Sequence, residues 1–102
     1  MDNPTISPFD RNPNPDITSQ DLAMAEAARD GYLDVVKHMI DLGASDFNQA
    51  MFQAAVGGHL EIVKLMIEQG ATNIDTCLLA AIVNGYYDIV VFMSKIRFFR
   101  KI

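Results

Sequence analysis

Residues 58–71 read GHLEIVKLMIEQGA, and versions of this stretch occur three times in the chain. The related stretches begin at Gly31 and Gly85, so the three glycines are 27 residues apart. A fixed period of this length indicates stacked structural units, each of which buries its apolar side against a neighbour. The period divides the chain into copies at residues 22–48, 49–75 and 76–102.

The copies agree in residue type as well as in spacing. The first two copies share Ala, Met, Gly, Leu, Val, Lys and Ile residues at matching positions, and four of these positions keep their residue in the third copy, as Ala81, Gly85, Val90 and Met93. Agreement at this level predicts that every copy adopts the same local structure. It also places the repeated methionines, Met24, Met39, Met51, Met66 and Met93, in a shared core.

Each copy is predicted to contain two short helices. The first helix is expected to follow an N-cap residue at Ser19, Asp46 or Asn73, whose side-chain oxygen accepts a first-turn N–H group. Asp46 followed by Gln49 also fits a capping box, and Thr18 with Asp21 offers an alternative box in the first copy. Gly31, Gly58 and Gly85 are then expected to end the first helices in a left-handed conformation.

The second helix of each copy is predicted to start near Leu33, Leu60 or Tyr87. An acidic residue follows each start, at Asp34, Glu61 and Asp88, where it complements the positive end of the helix dipole. Gly43 and Gly70 close the first two copies, and only a few residues then lead to the next helix. Linkers this short predict that consecutive helix pairs stack tightly.

The stretch 58–71 resembles the second half of an ankyrin repeat, and residues 54–58, AAVGG, resemble the end of its first helix. The resemblance covers roughly residues 20–96 and implies an all-α solenoid of three ankyrin-like helix-turn-helix repeats over residues 18–102. The chain is similar in particular to the shortened repeats of ankyrin-like multigene families in large DNA viruses. This resemblance implies a non-catalytic protein–protein interaction scaffold that requires no cofactor and no metal.

The repeats depart from the ankyrin pattern in length and in their opening turn. The usual period is about 33 residues, and the residues missing here fall between Ala71 and Thr76, where ankyrin repeats carry a β-hairpin finger. The opening Thr-Pro-Leu-His turn is also replaced. Recognition is therefore expected on the exposed sides of the first helices rather than on fingers.

Residues that vary between copies on the first helices are the predicted partner-binding positions, because a constant core with a changing surface is typical of a binding array. The alternative is a solvated face with no partner. The predicted positions are Glu26, Arg29, Asp30, Gln53, Val56 and Asn84.

The net charge of −5 is unevenly distributed, since all 13 acidic residues precede Lys95. A body this acidic repels phosphate, so the repeats are not expected to bind nucleic acid. The last eight residues are basic and aromatic, and Arg97 and Phe98 among them stand where Gly and Ala should close the third copy. They suggest a peripheral membrane-binding or lipid-binding surface, a self-association surface on an uncapped helix, attraction to the acidic body, or an unfinished array end. The tail positions are Lys95, Arg97, Phe98, Phe99, Arg100 and Lys101.

Three side chains could in principle support catalysis, but their spacing favours structural roles. His59 stands beside Gly58, where ankyrin repeats often use a histidine in the turn, and His38 is expected to be partly packed. Cys77 aligns with alanines and is expected to be a small packing residue. None of the three follows a zinc-ligand spacing. A hydrolase using His59 or Cys77 is the third and least supported hypothesis.

Residues 1–17 contain all four prolines and are expected to form a flexible arm, with Ile6 and Phe9 able to fold back onto the first repeat. The acidic start does not resemble a signal peptide, and the longest apolar run, residues 77–83, is too short for a membrane span. A single cysteine favours a reducing intracellular compartment, and hence the cytoplasm, or the host cytoplasm for a viral protein.

Overall fold

The computed structural model describes residues 18–100 of the chain; the predicted arm at residues 1–17, Lys101, Ile102 and the side chain of Arg100 lie outside the described residues. Within residues 18–100 the secondary structure consists of helices without strands, as the sequence predicts. The six helices are α1 Ser19–Asp30, α2 Leu33–Asp41, α3 Phe47–Gly57, α4 Leu60–Glu68, α5 Ile74–Asn84 and α6 Tyr87–Arg100.

The helices form three hairpins, α1–α2, α3–α4 and α5–α6, that stack in chain order. The first helices α1, α3 and α5 make the extensive contacts between hairpins, whereas the second helices α2, α4 and α6 contact one another sparsely. The close approach is possible because small residues, Ala27, Ala28, Ala54 and Ala55, occupy the first-helix faces and are buried. This arrangement confirms the predicted stacked repeats.

The core runs continuously through all three hairpins. Met24, Met51, Met66 and Met93 are fully buried in it, as the repeat pattern predicts, and Met39 packs against its edge. Unbranched methionine side chains fill irregular spaces between helices, which suits a core built from alanine-rich surfaces. No hairpin encloses this core alone, so each depends on its neighbour.

The capping of the first helices differs from the sequence expectation in two copies, by one residue in α1 and by a missing side-chain bond in α5. The N-cap of α1 is Thr18 and not Ser19, because Thr18 and Asp21 form a reciprocal capping box in which Thr18 Oγ1 accepts from Asp21 N at 3.1 Å. The return bond from Thr18 N to Asp21 Oδ2 is 3.3 Å. Asp46 caps α3 as predicted, with its Oδ1 accepting from Gln49 N at 3.2 Å. The backbone N–H of Asp46 donates to Asp21 and so does not complete a box with Gln49.

Asn73 is the N-cap residue of α5 as predicted, but its side chain makes no capping hydrogen bond, so that part of the prediction is wrong. The side chain turns toward the preceding repeat, where Nδ2 donates to the carbonyl oxygen of Asn48 at 3.0 Å. Its Oδ1 is buried without a hydrogen-bond partner among the described residues. A bond between repeats has therefore replaced a local one.

A polar side chain near the start of one first helix holds the linker that leads to the next. Asp21 Oδ1 accepts from Ser45 N at 2.7 Å and from Asp46 N at 3.0 Å. One period later, Asn48 Oδ1 accepts from Thr72 N at 2.7 Å. We call each of these arrangements, Asp21 with Ser45 and Asn48 with Thr72, a linker latch. Each latch gives linker N–H groups a partner that lies outside their own helix.

In the third copy the same position is Asp75, and its partner is a side chain. Arg97 Nε lies 2.8 Å from Asp75 Oδ1, with both side chains exposed. Arg97 reaches this carboxylate because α6 continues to Arg100 instead of ending at a glycine. Part of the basic tail therefore folds against the acidic body, one of the alternatives that the sequence suggests.

The repeated glycines end the first helices as predicted, with φ of 85° at Gly31, 85° at Gly58 and 80° at Gly85. Two of them also lie against a ring from the next repeat. A methyl group on Gly31 would come within 2.5 Å of His59 Cε1, and one on Gly58 within 2.5 Å of Tyr86 Cε1. We call these two arrangements, His59 on Gly31 and Tyr86 on Gly58, ring-on-glycine contacts. At Gly85 no described atom lies within 4 Å of such a methyl group.

Replacing Asp21 by alanine should lower the free energy of unfolding by about 2–3 kcal/mol, because three backbone N–H groups lose a charged acceptor. Burial raises the pKa of Asp21, but hydrogen bonds from Asp46, Ser45 and Thr18 outweigh burial and lower it below 3.8. The ionised Asp21 carboxylate should therefore make its full contribution to the free energy of unfolding above its unfolded-state pKa. This contribution should disappear as the pH falls through the folded-state pKa. Urea unfolding followed by circular dichroism at several pH values measures both effects, and an unchanged midpoint at pH 7 would contradict the latch.

Gly58→Ala should cost more stability than Gly85→Ala, although both place alanine at a similar left-handed φ. The shared backbone strain is about 1 kcal/mol. Only Gly58→Ala also displaces the Tyr86 ring, which adds about 1–3 kcal/mol of overpacking. Equal shifts of the urea midpoint would show that the ring contact contributes nothing.

Candidate interaction surface

The first helices α1 and α3 border an open groove of about 270 Å³, which we call the first-helix groove. From α1, residues 22, 25, 26 and 29 follow one another at the spacing of a single helix face. From α3 and its N-cap, residues 46, 49 and 53 do the same. The lining residues are Asp21, Leu22, Ala25, Glu26, Arg29, Asp46, Gln49 and Gln53.

The groove offers mixed polar chemistry with an acidic excess. Glu26 supplies a carboxylate, Asp46 supplies a second one whose Oδ1 already caps α3, and Arg29 supplies the one guanidinium of the lining. The Asp21 carboxylate is already occupied by backbone N–H donors, so it serves structure. Exposed Leu22 adds an apolar contact, and the amides of Gln49 and Gln53 can donate and accept hydrogen bonds. Such a lining suits a polypeptide that carries a basic side chain better than it suits a phosphate.

Three of the six predicted partner-binding residues, Glu26, Arg29 and Gln53, line this groove. The other three, Asp30, Val56 and Asn84, do not line it. Asp30 is exposed at the end of α1, Val56 is half-buried, and Asn84 Nδ2 donates to the carbonyl oxygen of Ala80 at 2.8 Å. The part of all six in binding stays a prediction.

Sequence reasoning missed Asp21, Leu22, Ala25, Asp46 and Gln49 as groove residues. Leu22 and Gln49 occupy the same position of successive copies and differ, so they satisfy the variability criterion that selected Glu26 and Gln53. Helical spacing supplies the second signal, because Leu22 precedes Glu26 by four residues and Gln49 precedes Gln53 by four. Combining variability with helical spacing would have found both residues.

The tail residues occupy the end of α6. Phe98 and Phe99 are exposed, with ring centroids 5.6 Å apart in an edge-to-face arrangement. Lys95 is exposed as well, whereas the Arg97 guanidinium is paired with Asp75. Lys101 and the side chain of Arg100 lie outside the described residues, so the predicted tail surface is described only in part.

His59 has the structural role that its position predicts. Its Nε2 lies 3.0 Å from the carbonyl oxygen of Arg29, in the preceding repeat. Because a carbonyl oxygen can only accept, Nε2 carries the proton in this contact. The ring also lies against Gly57 and Gly31, where added methyl groups would collide with it. His59 is thus committed to the contact between two repeats.

His38 is exposed, so the expectation of partial packing is wrong. The equivalent residue of the third copy, Phe92, lies beneath Lys64 of the preceding repeat, with 5.4 Å between Nζ and the ring centroid. Among the described residues, no repeat precedes α2 to cover His38 in the same way. The missing neighbour accounts for the exposure of His38.

Cys77 is fully buried, and burial raises the pKa of its thiol to about 12. The thiol is therefore protonated at neutral pH, and a thiol reacts far more slowly than a thiolate. The described residues contain no group of three or more His, Cys, Asp or Glu side chains placed to hold a metal ion. Likewise, within residues 18–100 none of the helices is long and apolar enough to cross a membrane.

Stacked helical hairpins with a shared core and an open groove define a repeat-protein scaffold. A model of the family described as ankyrin repeats (3 copies) matches residues 22–98, and the chain belongs to this family. Members of the family are generally protein–protein interaction modules. No curated protein and no solved structure matches the chain.

Proposed function

We propose that this chain is a non-catalytic interaction module that binds a segment of another protein in the first-helix groove. The observation that carries the proposal is the convergence of Glu26, Arg29 and Gln53, chosen from sequence variation alone, on one groove between α1 and α3. Because the hairpins lack the fingers that ankyrin repeats commonly use, the proposal assigns binding to the first-helix side, where α1 and α3 of successive repeats together line a groove.

The chemistry of the groove favours a basic segment as the partner. Glu26 and Asp46 would pair with a lysine or arginine side chain, and Arg29 would pair with a carboxylate or a backbone carbonyl of the same segment. Leu22 would cover a small apolar side chain. The net charge of −5 would also speed the approach of a basic partner and repel nucleic acid.

Asp30, Val56 and Asn84 belong to this proposal as flanking positions. All three lie toward the C-terminal ends of the first helices, beyond the groove lining. A partner longer than the groove would continue over them. In this assignment Glu26, Arg29 and Gln53 contribute more to affinity than the three flanking residues.

We also propose an intracellular, cytoplasmic setting and a viral origin. The 27-residue period supports the viral origin through its similarity to the shortened repeats of viral multigene families, and one buried thiol supports a reducing compartment. The partner is then a host or viral protein of an infected cell. Identification of the captured partner tests both statements.

Exchanging the groove charges should weaken partner binding at least tenfold. The variant combines Glu26→Lys with Arg29→Glu, which reverses the local pattern while preserving the net charge. The partner is first identified by affinity capture on the wild-type chain, then purified and titrated against wild type and variant by calorimetry.

The matched control combines Lys37→Glu with Glu68→Lys, an equal exchange on the exposed sides of α2 and α4. The control should bind like the wild type, and circular dichroism should show unchanged helicity for both variants. If the groove exchange leaves the affinity intact, or if the control loses as much, the groove is not the binding site.

The exposed Phe98–Phe99 pair supports a second candidate, binding to an anionic membrane surface. Lys95 would attract anionic headgroups, at about 1 kcal/mol for each basic residue near the surface, and the phenylalanines would insert. Flotation with phosphatidylserine vesicles should then recover the wild-type chain and lose a chain ending at Ser94. A variant with Phe98→Ser and Phe99→Ser separates insertion from charge. Equal flotation of wild type and truncated chain would contradict this candidate.

A further inference from the structure

Each ring-on-glycine contact joins a ring of one repeat to a glycine of the preceding repeat. The equivalent ring of the first repeat and the equivalent glycine of the third repeat have no such partner among the described residues. Tyr32 occupies the repeat position of His59 and Tyr86, yet its side chain is 61% exposed. Gly85 occupies the position of Gly31 and Gly58, yet the space above its α-carbon is open among the described residues. The first repeat thus presents a ring and the third repeat presents a glycine.

The space around Gly85 has the character of a ring-binding site. Ile82, Gly85, Tyr87 and Val90 line a shallow groove of about 160 Å³, which we call the Gly85 socket. Its lining is mainly apolar side chain and the left-handed glycine backbone. At Gly58 the same backbone conformation is covered by the Tyr86 ring. The socket therefore has the chemistry to receive another tyrosine.

The surfaces around the ring and the socket are apolar, although outer repeats of an array normally present polar faces. Val35 is 42% exposed, whereas Ile62 at the same position of the second copy is 1% exposed beneath its preceding repeat. At the other end Val83 is 75% exposed, and Ile82 replaces the alanines found at this position in the first two copies. Larger apolar side chains at an open end indicate a surface that is covered in an assembly.

The charges at the two ends are complementary. The exposed charged side chains of the second helix of the first repeat, α2, are Asp34, Lys37 and Asp41, with one more acidic than basic residue. Those described for the second helix of the third repeat, α6, are Asp88, Lys95 and Arg97, with one more basic than acidic residue, and Arg97 pairs with Asp75 of α5. If two chains stack as the repeats do, α6 of one lies beside α2 of the other and brings opposite charges together.

We propose that a second copy of this chain binds head to tail, with its Tyr32 ring in the Gly85 socket of the first. The contact continues the interface between repeats across two molecules. It uses the ends of the stack and leaves the first-helix groove open, so it goes beyond the interaction role above. Because ring and socket lie on different faces, the association is heterologous and adds copies one after another.

The wild-type chain of 11.3 kDa should show an average mass that rises with concentration past the dimer in analytical ultracentrifugation. Tyr32→Ser removes the ring and Ile82→Arg blocks the socket, and each variant alone should associate at least tenfold more weakly. A mixture of the two should form a one-to-one pair, because each variant keeps the half that the other has lost. Tyr32→Phe, which keeps the ring, should associate like the wild type.

Both substitutions are on exposed side chains, and circular dichroism verifies that each variant is folded. A wild-type chain that stays monomeric at every accessible concentration would overturn the proposal. The proposal would also be overturned if the Tyr32→Ser variant still formed dimers and did not pair with the Ile82→Arg variant. That result would show a symmetric contact between two socket faces. None of these outcomes depends on partner binding in the first-helix groove.

Discussion

The stack depends on how the backbone N–H groups of the short linkers find hydrogen-bond partners. Each linker leaves one hairpin and enters the next within a few residues, too few to form structure of its own. Asp21 and Asn48 supply the missing acceptors from the preceding repeat, at 2.7 Å in each case. Loss of the β-hairpin finger makes these bonds necessary, since a finger would satisfy its own backbone. The same loss leaves recognition to the helices.

The linker latch also builds the candidate binding surface. Asp21 holds the backbone of Asp46, and Asp46 in turn caps α3 and lines the first-helix groove. The N-terminal end of α3 is thereby fixed beside α1, which sets the spacing between Glu26 and Gln53 across the groove. Scaffold and site share one hydrogen-bond arrangement, so a change that weakens the latch should alter the groove before it unfolds the chain.

Local signals and periodicity were enough to predict the fold, because the glycines, the second-helix starts and one methionine position are repeated three times. What could not be predicted depends on contacts between helices. The Asn73 side chain binds the Asn48 carbonyl oxygen instead of capping its own helix. Among the described residues, His38 has no side chain packed over it as Lys64 is packed over Phe92. Arg97 pairs with Asp75 of the same hairpin. Thr18 displaced Ser19 because Asp21 completes its box. In the site, variation between copies identified Glu26, Arg29 and Gln53, whereas Leu22 and Gln49 would have required variation to be combined with helical spacing.

Native-state hydrogen exchange of the Ser45 and Thr72 amides tests most directly whether the latches hold the repeats together. If they do, both linker amides exchange only through global unfolding, with the same free energy as core amides of α3 and the same dependence on added denaturant. Exchange at the rate of freely exposed amides would contradict the account, because the linkers would then open without disturbing the stack.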